Sequence, residues 1–157
     1  MCIRDRCWTI RAVGWGWRVD GGSSEPTPDP PPVATIAWRT WHIGAETVAG
    51  HSGRLFGTAP LALRPRQWPG SADRALVAMD LAWERFAARY RALDDEAAAC
   101  PLGGAFGQYA ESNVADMLLH IADEVIHHGA EVALLRDLYA AAAREPETTV
   151  PEGDGAQ

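Results

Sequence analysis

An unbroken apolar seam of about thirty residues runs through the C-terminal half of the chain. From about 113 to 143, apolar side chains recur at steps of three and four, the spacing of one face of an α-helix. Ser112 precedes the seam as a candidate N-cap, and one position on the seam is a histidine, His128. A helix of this kind gains most of its stability by packing that face on other helices. The seam consists of Val114, Leu118, Ile121, Val125, His128, Val132, Leu135 and Tyr139.

Two shorter stretches show the same periodicity. The first runs from about Thr35 to Phe56, after three consecutive prolines and before Gly57. The second runs from about Ser71 to Leu93, with Ser71 as its expected N-cap. A glycine-rich loop, Asp94 to Glu111, joins it to the last helix. The predicted inward residues are Trp38, Trp41, Ala45, Val48, Ser52 and Leu55 in the first, and Leu76, Met79, Trp83, Phe86, Tyr90 and Leu93 in the second.

The length of 157 residues fits one domain, and no strand alternation of useful length is present. We therefore predict an all-α fold, an up-down helical bundle with short connections. The bundle domain is expected at 31–143. Residues 1–30 precede it as a loop region, and the polar segment 144–157 is expected to be a disordered tail.

Charge and composition exclude several functions. The formal net charge is −7, all fourteen basic residues are arginine, and no run of them forms a basic patch, so nucleic-acid binding is not expected. No stretch approaches the roughly 20 apolar residues that span a bilayer, and we expect no secretory signal because the N-terminus has no apolar segment of the kind a signal peptide needs. Cys2, Cys7 and Cys100 share no metal-ligand spacing and form no disulfide framework. A reducing cytoplasm is the predicted location.

Two of the five histidines lie on the first helix. An α-helix turns about 100° per residue, so the nine-residue step from His42 to His51 places them on opposite faces. His42 lies beside the apolar face, between Trp38 and Ala45, and is expected to point inward. His51 is expected to be exposed to solvent.

The last helix offers a second inward histidine with a carboxylate beside it. Glu124 and His128 are four residues apart, so both side chains emerge on one face about 6 Å apart. His127 leans away from the core, and His120 is two turns from His128, too far to share one ion. Two imidazoles and a carboxylate suit Zn²⁺, Ni²⁺ or Fe²⁺. The alternative is a hydrogen-bonded core histidine beside a solvated acidic face.

Two segments resemble the motifs of the DinB-like superfamily of metal-binding four-helix bundles. Thr35-Ile-Ala-Trp-Arg-Thr-Trp-His-Ile-Gly resembles its second-helix motif, in which a tryptophan precedes an inward histidine. The stretch from His120 to Tyr139, containing His-His-Gly and Leu-Leu-Arg-Asp-Leu-Tyr, resembles its last-helix motif. The resemblance spans about residues 8–143.

The resemblance implies a metal held by three side chains. In the superfamily these are usually three histidines, one on the second helix and two spaced by four on the last. Carried over to this chain, the ligands are His42, Glu124 and His128, so a carboxylate stands where the middle histidine is expected. This departure lowers the charge of the site by one and favours harder metals.

The resemblance also implies a metal-dependent enzyme, a transferase or isomerase that uses a low-molecular-weight thiol, or a hydrolase. Glu46 and His127 are the candidate acid/base or outer-sphere groups. The thiol is expected to come from a small molecule, because Cys100 is remote in sequence from every ligand. The alternative is a non-catalytic bundle that binds a metal, a small ligand or a partner chain. The expected partner is a small-molecule substrate, with neither nucleic acid nor membrane.

The start of the chain carries a separate expectation. Residues 1–6 resemble translated sequencing-adapter read-through, so we predict that Met1 is not the native start. Cys7 to Asp20 resembles the tryptophan-containing loop that follows the first helix of DinB-like proteins. We therefore predict that the chain lacks that first helix, which would leave an apolar groove uncovered and allow a homodimer.

Overall fold

The computed structural model describes residues 7–14, 16–21, 28–57 and 67–144. It confirms a mainly helical fold with three long helical runs. The first consists of α1 (Ile36–Trp41), a π-helix (His42–Gly50) and α2 (His51–Phe56), which follow one another without a break. The other two runs are α3 (Ala72–Tyr90) and α5 (Val114–Ala142). We call residues 36–56 the central helix.

The central helix begins and ends where its sequence predicts. Thr35 has an extended backbone, and its hydroxyl accepts a hydrogen bond from the backbone N–H of Trp38 at 3.3 Å. Gly57 ends the helix with a left-handed backbone at φ 61°, a conformation that glycine adopts without steric cost. The π-helix in between was not predicted, because the sequence analysis assumed α-helical geometry throughout.

Helix α5 is capped by Asn113, and the prediction of Ser112 as the cap was wrong by one residue. The Asn113 side chain accepts from the backbone N–H of Asp116 at 2.8 Å, and the Asp116 carboxylate accepts from the backbone N–H of Asn113 at 3.1 Å. This reciprocal arrangement satisfies two N–H groups that a helix start leaves without partners.

Short elements occupy two regions that were expected to be irregular. In the N-terminal region, β1 (Cys7–Trp8) pairs in parallel with β4 (Val33–Ala34), and β2 (Ile10–Val13) pairs antiparallel with β3 (Gly16–Val19). The all-α expectation did not include these two small sheets. Between α3 and α5 the predicted loop contains α4 (Asp95–Ala99) and a 3₁₀ helix (Gly104–Tyr109).

The central helix packs against α3 on one side and α5 on the other. One apolar cluster joins all three runs and is supplied by both large and small side chains. Close approach is needed where Gly44 meets the ring of Trp68, because a Cβ atom at Gly44 would lie 2.7 Å from Trp68 Cη2. The buried members of the cluster are Ile43, Val48, Ala82, Phe86, Phe106, Met117 and Ile121.

The buried face of α3 differs from the predicted one. Leu76, Trp83 and Tyr90 were expected to point inward, but each is about half exposed. The face that packs is rotated toward small residues, and its buried members are Ala75, Ala82, Phe86 and Ala87. The periodicity of large apolar residues was therefore a poor guide, because a closely approaching helix is accommodated by alanines.

The predicted seam of α5 is buried only over part of its length. Ile121 and His128 are buried as expected, but Tyr139 is 77% exposed. The last turns of α5 are exposed or half-buried, whereas its first half contributes to the core. Of the predicted inward residues of the central helix, Trp38, Trp41, Val48 and Ser52 are buried, whereas Ala45 and Leu55 are partly buried against the two apolar clusters.

A second apolar cluster connects the N-terminal strands to the central helix. It contains Trp38, Trp41 and Trp68 together with Val19, Ala34 and Ala75. The indole N–H of Trp38 donates to the backbone carbonyl of Asp20 at 2.8 Å, and its ring stacks on that of Trp8. The strands therefore fix the orientation of a tryptophan that lies one turn before His42.

Three expectations stay predictions. Residues 7–8, 10–13 and 16–19 form strands and not a packed helix, but the lack of a first bundle helix is a prediction only. The predicted disordered tail and the predicted non-native start fall largely on 145–157 and 1–6, outside the described residues. No helix in the described ranges has the length and apolar character that crossing a membrane requires.

Candidate metal centre

His42 is fixed by the residues that surround it on the central helix. Its ring stacks on Trp38, with centroids 5.1 Å apart and ring planes 12° from parallel. Its Nδ1 atom lies 2.8 Å from Glu46 Oε2, one turn farther along the same helix. The Nε2 atom is thereby directed away from its own helix and toward α5.

Glu124 on α5 meets two histidine rings with one carboxylate oxygen. Its Oε2 atom lies 3.1 Å from His42 Nε2 and 3.2 Å from His128 Nε2. The two rings are 4.7 Å apart and nearly perpendicular. The structure thus brings together the three residues that the sequence analysis singled out. One ligand atom from each lies within 4.8 Å of the others.

His128 has a second carboxylate on its other ring nitrogen. Its Nδ1 atom lies 2.6 Å from Glu131 Oε2, three residues ahead on α5. Each of the two histidines therefore has an outer carboxylate at Nδ1 and shares Glu124 at Nε2. Glu46 was a predicted outer-sphere group, whereas Glu131 was not predicted. The available signal was its three-residue step from His128, a spacing that places two side chains on one helix face.

The contacts of Glu131 also include an ion pair to the central helix. Arg39 Nη2 donates to Glu131 Oε1 at 3.0 Å, and Arg39 Nε lies 2.8 Å from Oε2 without hydrogen-bond geometry. The guanidinium also lies over the Trp38 ring at 5.3 Å. Arg39 therefore connects the residues that fix His42 with those that fix His128.

The carboxylates change the protonation of the centre. Burial lowers the pKa of His42, but its hydrogen bonds to Glu46 and Glu124 and the negative charges of these two residues outweigh burial and raise the pKa above its usual value. Burial raises the pKa of Glu124, but the hydrogen bond and charge of His42 and the charge of His128 hold it below its usual value. In the absence of a metal, both pKa shifts favour an ion pair between protonated His42 and ionised Glu124.

The donor set fits a divalent transition metal. Tetrahedral sites with ligands at 2.0–2.1 Å place neighbouring ligand atoms roughly 3.3 Å apart. The distances of 3.1 and 3.2 Å from Glu124 Oε2 to the two Nε2 atoms are close to this spacing. Neutral imidazole and carboxylate are ligands that Zn²⁺, Ni²⁺ and Fe²⁺ accept.

His127 lies at the edge of this arrangement. Its side chain is 59% exposed, and its Nε2 atom is 3.5 Å from Glu131 Oε1. His127, His128 and Glu131 form a second group with the spacing of a metal site. The Arg39 guanidinium already neutralises Glu131, which disfavours a second cation there.

The prediction that His51 points to solvent was wrong. His51 is half-buried, its Nδ1 lies 2.7 Å from the Thr47 carbonyl, and its ring contacts His120 of α5 with centroids 5.4 Å apart. A π-helix has more residues per turn than an α-helix, so the nine residues from His42 complete roughly two full turns. His42 and His51 thus both contact α5, although His51 is in neither candidate metal group.

Comparison with known proteins identifies the family. A family model described as the DinB superfamily matches residues 14–132, about three quarters of the chain, a span that includes His42, Glu124, His128 and Glu131. The chain belongs to the DinB superfamily. The resemblance drawn from the two helix motifs is therefore confirmed, and this superfamily is generally associated with metals. Neither curated proteins nor solved structures gave a match.

Proposed function

We propose that this DinB-superfamily protein binds one divalent metal ion through His42, Glu124 and His128. The observation that carries the proposal is the convergence of two Nε2 atoms on Glu124 Oε2, at 3.1 and 3.2 Å. A hydrogen-bonded core histidine needs only one partner of this kind. Here two helices each direct a histidine at the same carboxylate oxygen.

The charges around the centre support a divalent ion. The acidic residues Glu46, Glu124 and Glu131 contact the two histidines, and the basic residue Arg39 pairs with Glu131. Their net charge of minus two balances a cation of charge plus two. In this proposal Glu124 and the neutral rings of His42 and His128 are the metal ligands. Glu46, Glu131 and Arg39 supply the rest of the charge that balances the ion.

The side chains around the centre have defined roles in this proposal. Glu46 and Glu131 accept hydrogen bonds from the Nδ1–H groups of His42 and His128, which leaves the lone pair that a metal ligand needs on each Nε2. Trp38 holds the plane of the His42 ring. A divalent ion with open positions polarises a substrate oxygen or lowers the pKa of a bound thiol or water.

We further propose a reaction on a small molecule, of the thiol-dependent transferase or isomerase type or of the hydrolase type. Among the described residues, no cysteine belongs to a candidate metal group, so the thiol of a thiol-dependent reaction comes from a small molecule. His127 is exposed beside the centre and is the candidate that can exchange protons with solvent and substrate.

Reconstitution with Zn²⁺, Ni²⁺ or Fe²⁺ and turnover assays with and without an added low-molecular-weight thiol test this proposal. Metal-dependent turnover that also needs the thiol supports the transferase or isomerase type, and turnover with water alone supports the hydrolase type. A stoichiometric metal complex without turnover on any substrate class would make the protein a metal-binding bundle. Absence of stoichiometric metal would contradict the proposal as a whole.

A further inference from the structure

Glu131 contacts both His128 and Arg39, which is more than a metal ligand or a surface ion pair requires. It presents Oε2 to His128 Nδ1 at 2.6 Å and both oxygens to Arg39 on the central helix. The Glu131 side chain is one-third exposed and that of Arg39 one-fifth exposed. Solvent still screens this partly buried ion pair, which limits its contribution to stability, and ion pairing with Arg39 does not require the additional contact with His128.

The alternative role as a ligand of a second metal ion is disfavoured by charge. Glu131 belongs to the group His127, His128 and Glu131, whose ligand atoms lie within 4.8 Å of one another. A cation in that group would share Glu131 with the Arg39 guanidinium at 2.8 Å. It would also compete for His128 Nδ1, which already faces Glu131.

The position of Glu131 determines which ring nitrogen of His128 is available to bind a metal. A carboxylate only accepts hydrogen bonds, so the 2.6 Å contact requires a proton on Nδ1. In a neutral ring the lone pair is then on Nε2, the atom that lies 3.2 Å from Glu124. Without Glu131, both tautomers and both ring orientations become accessible to His128.

Arg39 fixes Glu131 from the other helix. The contacts of Arg39 with both carboxylate oxygens hold the plane of the Glu131 carboxylate. The position of the guanidinium over Trp38 restricts the rotation of the Arg39 side chain. We infer that Glu131, oriented by Arg39, is a positioning residue that directs His128 Nε2 into the metal centre. This inference rests on the proposed metal site. It makes Arg39 a determinant of metal affinity that acts through Glu131.

The first test is a set of Zn²⁺ affinities measured by chelator competition. Glu131→Ala is expected to weaken binding about 10- to 100-fold, the usual effect of losing an outer carboxylate. Glu131→Gln keeps an oxygen that accepts from Nδ1–H, so it is expected to restore part of the loss. Asp137→Asn removes the same charge from an exposed position on α5 and is the matched control, with an expected change below about twofold.

The double variant separates a positioning role from a general structural one. Arg39→Gln alone is expected to weaken binding, but Arg39→Gln combined with Glu131→Ala should bind no more weakly than Glu131→Ala alone. Additive losses would overturn the claim that Arg39 acts through Glu131. Melting temperatures of all variants verify that each is folded.

Nitrogen-15 NMR of the Zn²⁺-loaded protein gives an independent readout. We expect metal on Nε2 and a proton on Nδ1 of His128 in the wild type, and loss of this single state in Glu131→Ala. Metal on Nδ1, a second ion that disappears with Glu131, or an affinity of Glu131→Ala equal to that of Asp137→Asn would each overturn the inference. No uptake by the wild type would overturn the proposed function itself, a result distinct from uptake that is insensitive to Glu131.

Discussion

His42 and His51 contact the same neighbouring helix, α5, although an α-helix would place them on opposite faces. The π-helix from His42 to Gly50 accounts for this, because its wider turns bring the two side chains back into line. π-helical turns are frequent at functional sites. In this protein the π-helix begins at a predicted ligand, His42, and ends immediately before the half-buried His51.

The position of His51 leads to the first prediction. His51→Ala should leave metal affinity within about twofold of the wild type, because His51 contacts the Thr47 carbonyl and His120 and belongs to neither candidate metal group. Isothermal titration with Zn²⁺ measures this. A loss as large as that of His42→Ala would place His51 inside the metal centre.

The second prediction concerns pH. The pKa of His42 is raised above its ordinary value of about 6.5, so a proton competes with metal for Nε2 already at neutral pH. Apparent metal affinity should fall by up to about tenfold per pH unit per displaced proton below that raised pKa. The Glu46→Gln variant removes a negative partner and should shift the onset to lower pH. An affinity that is constant from about pH 8 to about pH 5.5 would contradict this linkage.

The same pKa shift has the opposite effect on the metal-free protein. A histidine with a raised pKa stabilises the folded state below the pKa of the unfolded chain, and this contribution is lost as the pH rises through the folded-state pKa. As the pH rises through the folded-state pKa of His42, the metal-free protein should therefore lose the stability that protonated His42 contributes. Over the same range the affinity of the protein for metal should increase. Thermal melts with and without Zn²⁺ across that range show both trends.

A third prediction tests the close contact beneath the π-helix. Gly44→Ala places a methyl group 2.7 Å from the buried Trp68 ring and should destabilise the fold by about 1–3 kcal/mol. Gly129→Ala is the matched control, because its Cβ would meet nothing within 4 Å, and it should stabilise helix α5 by about 0.5–1 kcal/mol. Chemical denaturation measures both. Equal effects of the two substitutions would show that Trp68 does not pack on Gly44.

The cap of α5 supplies the fourth prediction. Asn113→Ala removes one half of a reciprocal pair with Asp116 and should cost about 1 kcal/mol of the free energy of unfolding. Ser112→Ala, at the neighbouring position that the sequence suggested as the cap, should cost a few tenths at most. A larger loss for Ser112→Ala than for Asn113→Ala would move the start of the helix.

The sequence predicted the long helices well because their apolar residues recur with helical spacing and their ends carry recognisable signals. It failed where side-chain size and not spacing determines packing. On α3 the alanines at 75, 82 and 87 are buried, while Trp83 remains half exposed. Periodicity places residues on faces but does not say how closely another helix approaches.

The candidate metal centre was likewise predicted from the sequence only in part. The convergence of His42, Glu124 and His128 could be anticipated because each lies on or beside an inward face of a helix. The role of Glu131 could not be anticipated from the sequence, because a glutamate three residues from a histidine is common on exposed helices. The contact of His51 with α5 could not be anticipated either, because it depends on a π-helical segment that the residue pattern does not indicate.

The metal content of reconstituted protein tests the central claim most directly. Elemental analysis after incubation with Zn²⁺ and removal of free metal should give one ion per chain for the wild type and none for His128→Ala. His120→Ala substitutes a histidine two turns away on the same helix, outside either candidate group, and should still bind one ion. Equal metal content in all three proteins would contradict the assignment of His42, Glu124 and His128 as the metal centre.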